Sequence, residues 1–315
     1  MSQTRSFFSW CLFDFANNAF PTLIITFVFS TYFASSVAEN KVIGAQLWGM
    51  IISTSMVLVA IFAPIFGAII DQYQAKKKPL ACFWIINLLS TAMLFWIKPG
   101  VSMLFAGGMI VLANWSYEQT QVIYNGFLLN ISTANKVGRY SGWGWACGYL
   151  GGLIALGLAL LWLKSSVIHM DTILRIRVLP FAVVLWTVLW SLPFFLYTRD
   201  YSSVDQVWSK TFGHSLRILW GNLSDLRSKP EMLKLLIARL FYMDALNTLF
   251  AFGGIYASSE FGFTMEQVLI FAIILNITAG IGAALLACLD DRWGAKTVIC
   301  LSLLAISGLT GGLLC

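Results

Sequence analysis

Two long apolar stretches of the chain contain the same short polar pattern, Asp-x-x-Asn-x-x-Phe. Asp14, Asn17 and Asn18 lie in the first stretch, and Asp244 and Asn247 lie in a later one. An ionised carboxylate at bilayer depth costs about 2.5–3.5 kcal/mol on insertion scales, so it is expected to face a cavity or a partner. The repeated pattern therefore predicts contact with a polar solute or coupling to protons. A structural hydrogen bond, or a carboxylate that reaches the membrane interface, is the alternative.

A third acidic residue, Glu118, lies near the middle of another apolar stretch. Asn114, Gln121 and Asn125 are spaced so that a helix would place all four side chains on one face. A polar stripe of this kind is unstable against lipid, so it should line a cavity or cover another helix. Glu118 and Asn125 are therefore further candidates for a role in transport, and packing against a neighbouring helix is the other possibility.

The composition indicates the class of protein that must position these groups. The 315 residues are 59% hydrophobic and 11% charged, whereas soluble domains carry about 25% charged residues. Apolar stretches close to the ~20 residues needed to cross a bilayer recur along the chain. We therefore predict an all-α, polytopic membrane protein. Its helices are expected at about 8–33, 46–70, 80–97, 101–131, 142–163, 178–197, 233–257, 265–289 and 297 to the end.

The order of these stretches indicates an internal duplication. Each Asp-x-x-Asn pattern is followed, one apolar stretch later, by an acidic residue and then basic residues. Repeats of helical halves are how many secondary transporters are built. The residues of the two turns are Asp71, Lys76, Lys77 and Lys78 in the first copy, and Asp291, Arg292 and Lys296 in the second.

The predicted domain organisation follows from the one long polar connection. Residues 1–197 form a bundle of six helices, 198–232 form a linker, and 233–315 form a second bundle with helices seven to nine. Apolar residues in the linker repeat at helical spacing, so we expect an amphipathic helix at the membrane interface there. These residues are Phe212, Leu216, Leu219 and Leu223.

Charge sets the expected orientation. Placing the N-terminus and the linker in the cytoplasm puts most of the 20 Lys and Arg residues on the cytoplasmic side, as the positive-inside rule requires. Lys164, Arg175 and Arg177, between the fifth and sixth helices, are the exception. The basic residues are scattered through short loops without a basic aromatic face, which argues against nucleic-acid binding.

Few residue patterns in the sequence are typical of an enzyme active site or a metal site. The six cysteines lie in or next to apolar stretches without a Cys-x-x-Cys pair, and His169 and His214 fall in different loops. Packing as small hydrophobic residues is the expected role of the cysteines. We expect no cofactor, no metal and no enzymatic activity.

Four segments carry a resemblance to a known family. Residues 10–20 read WCLFDFANNAF, 124–125 are Tyr-Asn, 144–152 follow Gly-Trp-x-x-Gly-Tyr-x-Gly-Gly, and 241–244 are Phe-Tyr-Met-Asp. These segments resemble the vacuole-effluxer branch of the major facilitator superfamily. That branch includes autophagy-related vacuolar amino-acid exporters and many bacterial relatives.

The resemblance implies both a fold and a function. Family members have twelve helices, so this chain would end about three helices early, and helices 1 and 7 would line a central cavity with their polar stripes facing each other. The implied function is secondary-active export of amino acids or related small metabolites by alternating access, with protons as a hypothetical coupling ion. The implied location is a bacterial inner membrane or a vacuolar membrane, with the protein as a monomer in the bilayer. The alternative is a truncated, transport-inactive protein, or a partner in a membrane complex.

The two charged turns resemble the loop motif of the superfamily, Gly-x-x-x-Asp-Arg-x-Gly-Arg-Arg. The first copy matches at Gly67 and Asp71, and Lys76 and Lys77 retain the positive charge; the second matches at Asp291, Arg292, Gly294 and Lys296. The resemblance implies a gating latch whose partner lies on helix 11. A solvated turn is the alternative.

Small residues predict close packing of the fifth helix. Gly144, Gly148 and Gly152 are spaced four residues apart, and small residues at this spacing let helix backbones approach each other. The resemblance implies that this helix crosses helix 8 between the two halves.

The charge count gives a testable topology, with the N-terminus and the 198–232 linker in the cytoplasm and Cys315 at the opposite face. A single cysteine placed in the linker of a cysteine-free variant should resist an impermeant thiol reagent in intact cells. Strong labelling of that cysteine would contradict the topology.

Overall fold

The computed structural model describes residues 3–73, 76–132, 137–165, 171–198, 220–221, 225 and 228–312, and these residues are almost entirely helical. The α-helices are α1 (Gln3–Asn17), α2 (Val28–Tyr32), α3 (Lys41–Tyr73), α4 (Lys77–Met93), α5 (Met103–Ile131), α6 (Val137–Lys164), α7 (Thr172–Tyr197), α8 (Pro230–Ser259), α9 (Met265–Trp293) and α10 (Ala295–Gly312).

The prediction of an all-α, polytopic membrane protein is confirmed. Each of the nine predicted helices has a counterpart among the described residues. Seven described spans are long and apolar enough to cross a membrane. Helix α5 lies outside that set but is 29 residues long and packs along α3 and α4.

The first span is longer and less regular than predicted. Two π-helical segments, Pro21–Phe27 and Phe33–Val37, flank α2. Pro21 has no backbone N–H to continue the ladder of α1, which accounts for the interruption after Asn17. In the most apolar 18-residue window of Thr4–Val37, 83% of the residues are buried, against 33% or less in the corresponding windows of the other six spans. The first span is therefore the central element around which the others pack.

An aromatic cluster fixes α1 against α5. Trp10 stacks on Tyr124 with ring centroids 4.7 Å apart. The indole Nε1 of Trp10 donates to the carbonyl oxygen of Tyr124 at 3.3 Å, and the Tyr124 hydroxyl donates to the carbonyl oxygen of Trp10 at 3.0 Å. Phe13 and Phe194 complete the cluster, which ties α7 to the same point.

The predicted glycine ladder is present on α6, and it contacts α1 in addition to the expected helix, α9. A methyl group at Gly144 would lie 2.5 Å from the Trp10 ring, and one at Gly151 would collide with the carbonyl oxygen of Phe15. The glycine face therefore packs on α1. Helices α6 and α9, the fifth and eighth predicted helices, also pack along each other, as the resemblance to the superfamily implied, and Asn276 of α9 reaches the glycine face at Gly152.

Two ends of the bundle can be distinguished by their basic residues. The N-terminal end holds Arg5, Lys76, Lys77, Lys78 and Lys234, and the far end holds Lys41, Lys98, Lys164, Arg175 and Arg177. The residues of the expected amphipathic linker helix lie outside the described part of the chain. The division into 1–197, 198–232 and 233–315 stays a prediction.

The contact between α1 and α6 gives a prediction about stability. Gly151→Ala should lower the unfolding temperature strongly, because its methyl group would meet the carbonyl carbon of Phe15 at 2.7 Å and its Cα at 2.9 Å, and backbone cannot move aside as a side chain can. Gly157→Ala is the matched control in the same helix. Nothing lies within 4 Å of its new methyl group, and alanine stabilises a helix over glycine by about 0.5–1 kcal/mol. Thermal unfolding in detergent would compare the two, and equal midpoints would contradict the close packing.

Candidate functional site

The polar stripe of the first span separates into groups with different surroundings. Asn17 is 2% exposed, and its Nδ2 donates to the carbonyl oxygen of Phe13 at 2.8 Å. Its amide group is thus occupied by a hydrogen bond to its own helix. Asp14 and Asn18 are half-buried and lie on the side that faces α6. Of the predicted stripe, Asp14 and Asn18 therefore remain available for chemistry.

The Asp14 carboxylate sits in space that Gly148 leaves open. A methyl group at Gly148 would lie 2.8 Å from Asp14 Oδ2 and 3.0 Å from Asn18 Nδ2. Among the described residues, no donor hydrogen-bonds to this carboxylate and no basic side chain pairs with it. A carboxyl group at this depth without a partner is costly, so its surroundings fit a group that meets a ligand or a proton.

Cys11 and Cys147 lie near Asp14. Both cysteines are free. In the part of the chain that the structure describes, no three His, Cys, Asp or Glu side chains come together as a metal site would require.

Glu118 occupies the middle of α5 and is half-buried. The residues predicted to share its face have different roles. Asn114 is buried and donates from Nδ2 to Ser55 Oγ at 2.7 Å, which joins α5 to α3, whereas Asn125 is exposed. Gln119 was not singled out from the sequence. It is 0% exposed, and neither of its amide atoms has a hydrogen-bond partner among the described residues.

A polar junction forms where the first span, α6 and α9 meet. The point at which Gly152 would carry a methyl group lies 2.8 Å from Asn18 Oδ1, 2.9 Å from Thr22 Oγ1 and 3.2 Å from Asn276 Oδ1. Thr22 Oγ1 donates to Asn18 Oδ1 at 3.1 Å. This junction, which continues the Asp14 stripe by one turn, includes a residue from each half of the chain.

Asn276 is the member of this junction that sequence reasoning missed. Its signal is a single amide in the apolar run Ile273-Ile274-Leu275-Asn276-Ile277. Its Nδ2 donates to the carbonyl oxygen of Ala272 at 3.1 Å, which turns Oδ1 toward Gly152.

The second Asp-x-x-Asn copy has a different environment. Asp244 and Asn247 are both exposed on α8, and Thr248 Oγ1 donates to the carbonyl oxygen of Asp244 at 2.9 Å. No hydrogen bond or ion pair between described residues joins Asp244 to Asp14. The structure therefore does not bring the two predicted stripes into contact.

The two halves of the chain touch at the far end of the bundle. Trp48 Nε1 donates to the carbonyl oxygen of Ala251 at 3.1 Å, and Lys41 Nζ donates to the carbonyl oxygen of Ser258 at 3.2 Å. A methyl group at Gly254 would lie 2.6 Å from the carbonyl oxygen of Thr26, so backbones are in close contact here.

An ion pair also joins the two halves at the far end of the bundle. Lys164 Nζ lies 2.5 Å from Glu266 Oε1 and links α6 to α9. Both side chains are about half exposed, so the pair is worth little in itself.

The N-terminal part of α8 has different surroundings. Every side chain from Glu231 to Phe241 on this helix is exposed, although many are large and apolar. Helix α8 therefore contacts the first half at the far end of the bundle and is exposed at the N-terminal end.

Two lysines of the predicted gating turn are anchored to helix ends. Lys76 Nζ donates to the carbonyl oxygen of Gly126 at 2.8 Å, and Lys77 Nζ to that of Phe195 at 2.6 Å. Both carbonyls lie near the C-terminal ends of their helices, where the dipole favours a cation. The positive charge of this turn thus holds α4 against α5 and α7.

The other members of the predicted motif are less informative. Gly294 has φ +81° and makes the left-handed turn between α9 and α10, which favours glycine. Gly67 has open space at its Cβ position and Lys296 is exposed. The side chains of Asp71, Asp291 and Arg292 lie outside the described part of the structure.

An apolar pocket of about 270 Å³ lies away from this chemistry, between the first span, α6 and α7. Leu23, Ala159, Val183 and Trp186 are among its lining residues. With no titratable group in its wall, it does not contribute to the candidate site.

Comparisons with known proteins agree with this architecture. A family model described as "Vacuole effluxer Atg22 like" matches residues 47–311. The chain is similar to an uncharacterized MFS-type transporter, YxiO, of Bacillus subtilis, with 25% identity over 301 residues that cover 92% of this chain and 69% of that protein. It is also similar to Autophagy-related protein 22 of Kluyveromyces lactis, with 25% identity over 240 residues, 69% of this chain and 48% of that protein.

Two solved structures share the fold. One is the xylose transporter XylE from E. coli in a partially occluded inward-open conformation, with TM-score 0.60, 11% identity, and coverage of 94% of this chain and 75% of that chain. The other is a bacterial homolog of the human lysosomal transporter Spinster, inward-facing and unoccupied, with TM-score 0.57, 14% identity, and coverage of 93% and 64%.

The contact at the far end gives a prediction about stability. Trp48→Phe removes the indole N–H that Ala251 accepts, and a buried hydrogen bond of this kind contributes about 0.5–1.5 kcal/mol. The variant should unfold at a lower temperature in detergent. Trp143→Phe, at a side chain that is 60% exposed, is the control and should change little. An unchanged midpoint for Trp48→Phe would show that this bond does not hold the halves together.

Proposed function

Because the chain belongs to the family of Atg22-like vacuole effluxers within the major facilitator superfamily, we propose that it exports amino acids or related small metabolites by alternating access. It is a multi-pass membrane protein and a transporter of the major-facilitator type. The membrane proposed for it is a bacterial inner membrane or a vacuolar membrane.

The observation that carries the proposal is the Asp14 carboxylate. It is half-buried in the N-terminal part of the first span, and no described basic side chain neutralises it. Such a group raises the cost of folding unless a cavity, a ligand or a proton compensates it. A binding cleft between two halves supplies that compensation, and a purely structural role does not.

Alternating access is supported by the uneven contacts between the halves. At the far end the halves are joined by the contacts of Trp48, Lys41 and Lys164 and by the backbone approach at Gly254, and these contacts would have to break if the halves rock. The interface between α1 and α6 lies within the first half and involves backbone, so it would move as one body. Glu118 and Asp244 are the remaining acidic groups proposed for solute or proton coupling.

The amino-acid class and the export direction are proposed from the likeness to the vacuole effluxers. The matching family model is described as a vacuole effluxer, and the Asp-x-Ala-Asn segment of α1 is one of the segments that carry the likeness.

The test is the Asp14→Asn variant in proteoliposomes, with flux of a panel of radiolabelled amino acids normalised to folded protein. Asparagine keeps the shape and removes the costly charge, so thermal stability should hold or rise while transport falls at least tenfold. The control is Asp171→Asn, at an exposed residue before α7 without a side-chain capping bond. It should transport normally.

Near-normal flux through Asp14→Asn would remove this carboxylate from the mechanism, and Glu118→Gln and Asp244→Asn would be the next variants. A well-folded wild-type protein that moves none of the amino acids would refute the proposed substrate class. It would favour the role of a partner in a membrane complex.

A further inference from the structure

We propose that Asp14, Asn18 and Asn276 form a subsite for a primary ammonium group at the junction of the first span, α6 and α9. The inference rests on the proposed transport function and specifies which part of the solute the protein holds. It adds Asn276, from the second half of the chain, to the residues that contact the solute.

The junction supplies hydrogen-bond acceptors that have no donor among the described residues. An ammonium group has three donors and no acceptor. The Asp14 carboxylate accepts only, and no described residue donates to it. Asn276 Oδ1 is also an open acceptor, because Nδ2 is committed to the carbonyl oxygen of Ala272 at 3.1 Å and this bond fixes which way the amide points.

The acceptors are close together in space. Asn18 Oδ1 and Asn276 Oδ1 lie 2.8 and 3.2 Å from the position that a Cβ atom would take on Gly152, and Asp14 Oδ2 lies 2.8 Å from the corresponding position on Gly148. The two glycines are four residues apart, about 6 Å along the helix axis. The acceptors therefore lie along a short strip of one bare helix face, a scale that suits a small cationic group.

The charges around the junction also favour a cationic group. Asp14 and Glu118 bring negative charge to the interior, whereas Lys41 and Lys164 make their contacts at the far end, and Arg239 is exposed on α8. No described basic side chain lies in an ion pair with either acid. A cationic group on the solute would offset the cost of the Asp14 carboxylate, and an anionic group there would raise it.

Because of the position of Asn276, a bound ligand would also affect the arrangement of the two halves. Asp14 and Asn18 belong to the first half, and Asn276 belongs to the second. A bound ammonium group would connect the two halves through its hydrogen bonds, so occupancy would favour the arrangement in which α9 stays close to the first span.

The experiment measures binding to purified protein in detergent with three probes of similar shape. L-leucine carries ammonium and carboxylate, L-leucine amide carries ammonium alone, and 4-methylpentanoate carries carboxylate alone. The first two should raise the unfolding temperature and the third should not. Asp14→Asn should abolish the effect.

Asn276→Leu keeps the size and removes the acceptor, and it should weaken binding of L-leucine amide about tenfold, since a hydrogen bond to a charged group contributes about that much. The matched control is Thr278→Val on the same helix, where the exposed hydroxyl bonds only to its own backbone. If Asn276→Leu fails to fold, Asn276→Asp serves instead, and its added carboxylate should bind the amide probe at least as tightly as the wild type.

Equal stabilisation by 4-methylpentanoate, no stabilisation by either ammonium probe, or an unchanged affinity of Asn276→Leu would overturn the subsite. If sodium chloride raised the unfolding temperature above that in choline chloride by as much as the amide probe does, the site would bind a metal cation. That result would also overturn the ammonium subsite. Transport without a preference for ammonium would refute the subsite but keep the proposed function. Selective ammonium binding without transport would keep the subsite but refute the proposed function.

Discussion

The contact between the first span and the glycine face of α6 is the constraint on which the rest of the structure depends. Gly151 lets α6 approach the backbone of α1 at Phe15, and Gly148 and Gly152 leave the space that Asp14 and Asn18 occupy. The same bare face thus provides close packing and room for polar groups. Without hydrophobic driving force between helices in lipid, such packing is a main source of association. Any side chain on this face would destabilise the fold and remove the space that the polar groups occupy.

A second consequence of this packing is the uneven closure of the bundle. The buried first span fills the centre, and its far part meets α8 through backbone contacts at Gly254 and through the Trp48 bond to Ala251. The N-terminal part of α8 has no such neighbours and stays exposed. In the proposed transport mechanism, the cleft that binds the solute opens at this exposed end, and the polar stripe lines its wall. Such a position would allow an unpaired carboxylate to exist within a membrane span.

Much of the fold could be predicted from the sequence, because apolar length and glycine spacing are local properties. The predicted helices and the close-packing glycines of α6 are both present. The partners across helices were harder to predict. Asn17 and Asn18 are adjacent and of the same type, yet one bonds its own backbone and the other faces α6, since the rotation of α1 and the interruption at Pro21 decide between them. Asn276 and Ala251 acquire their roles only through contacts with residues far away in the chain.

The central proposal is that Asp14 lines a cleft open only at the N-terminal end. It is tested most directly by measuring from which side of the membrane a reagent can reach position 14. Asp14→Cys in a cysteine-free background would be treated with an impermeant methanethiosulfonate in oriented membrane vesicles. Lys234→Cys and Asp171→Cys, exposed at the N-terminal and far ends, mark the two sides. Reaction at position 14 from the side that labels Lys234→Cys, and not from the other, is the expected result. Reaction only from the Asp171→Cys side, or none from either side, would contradict it.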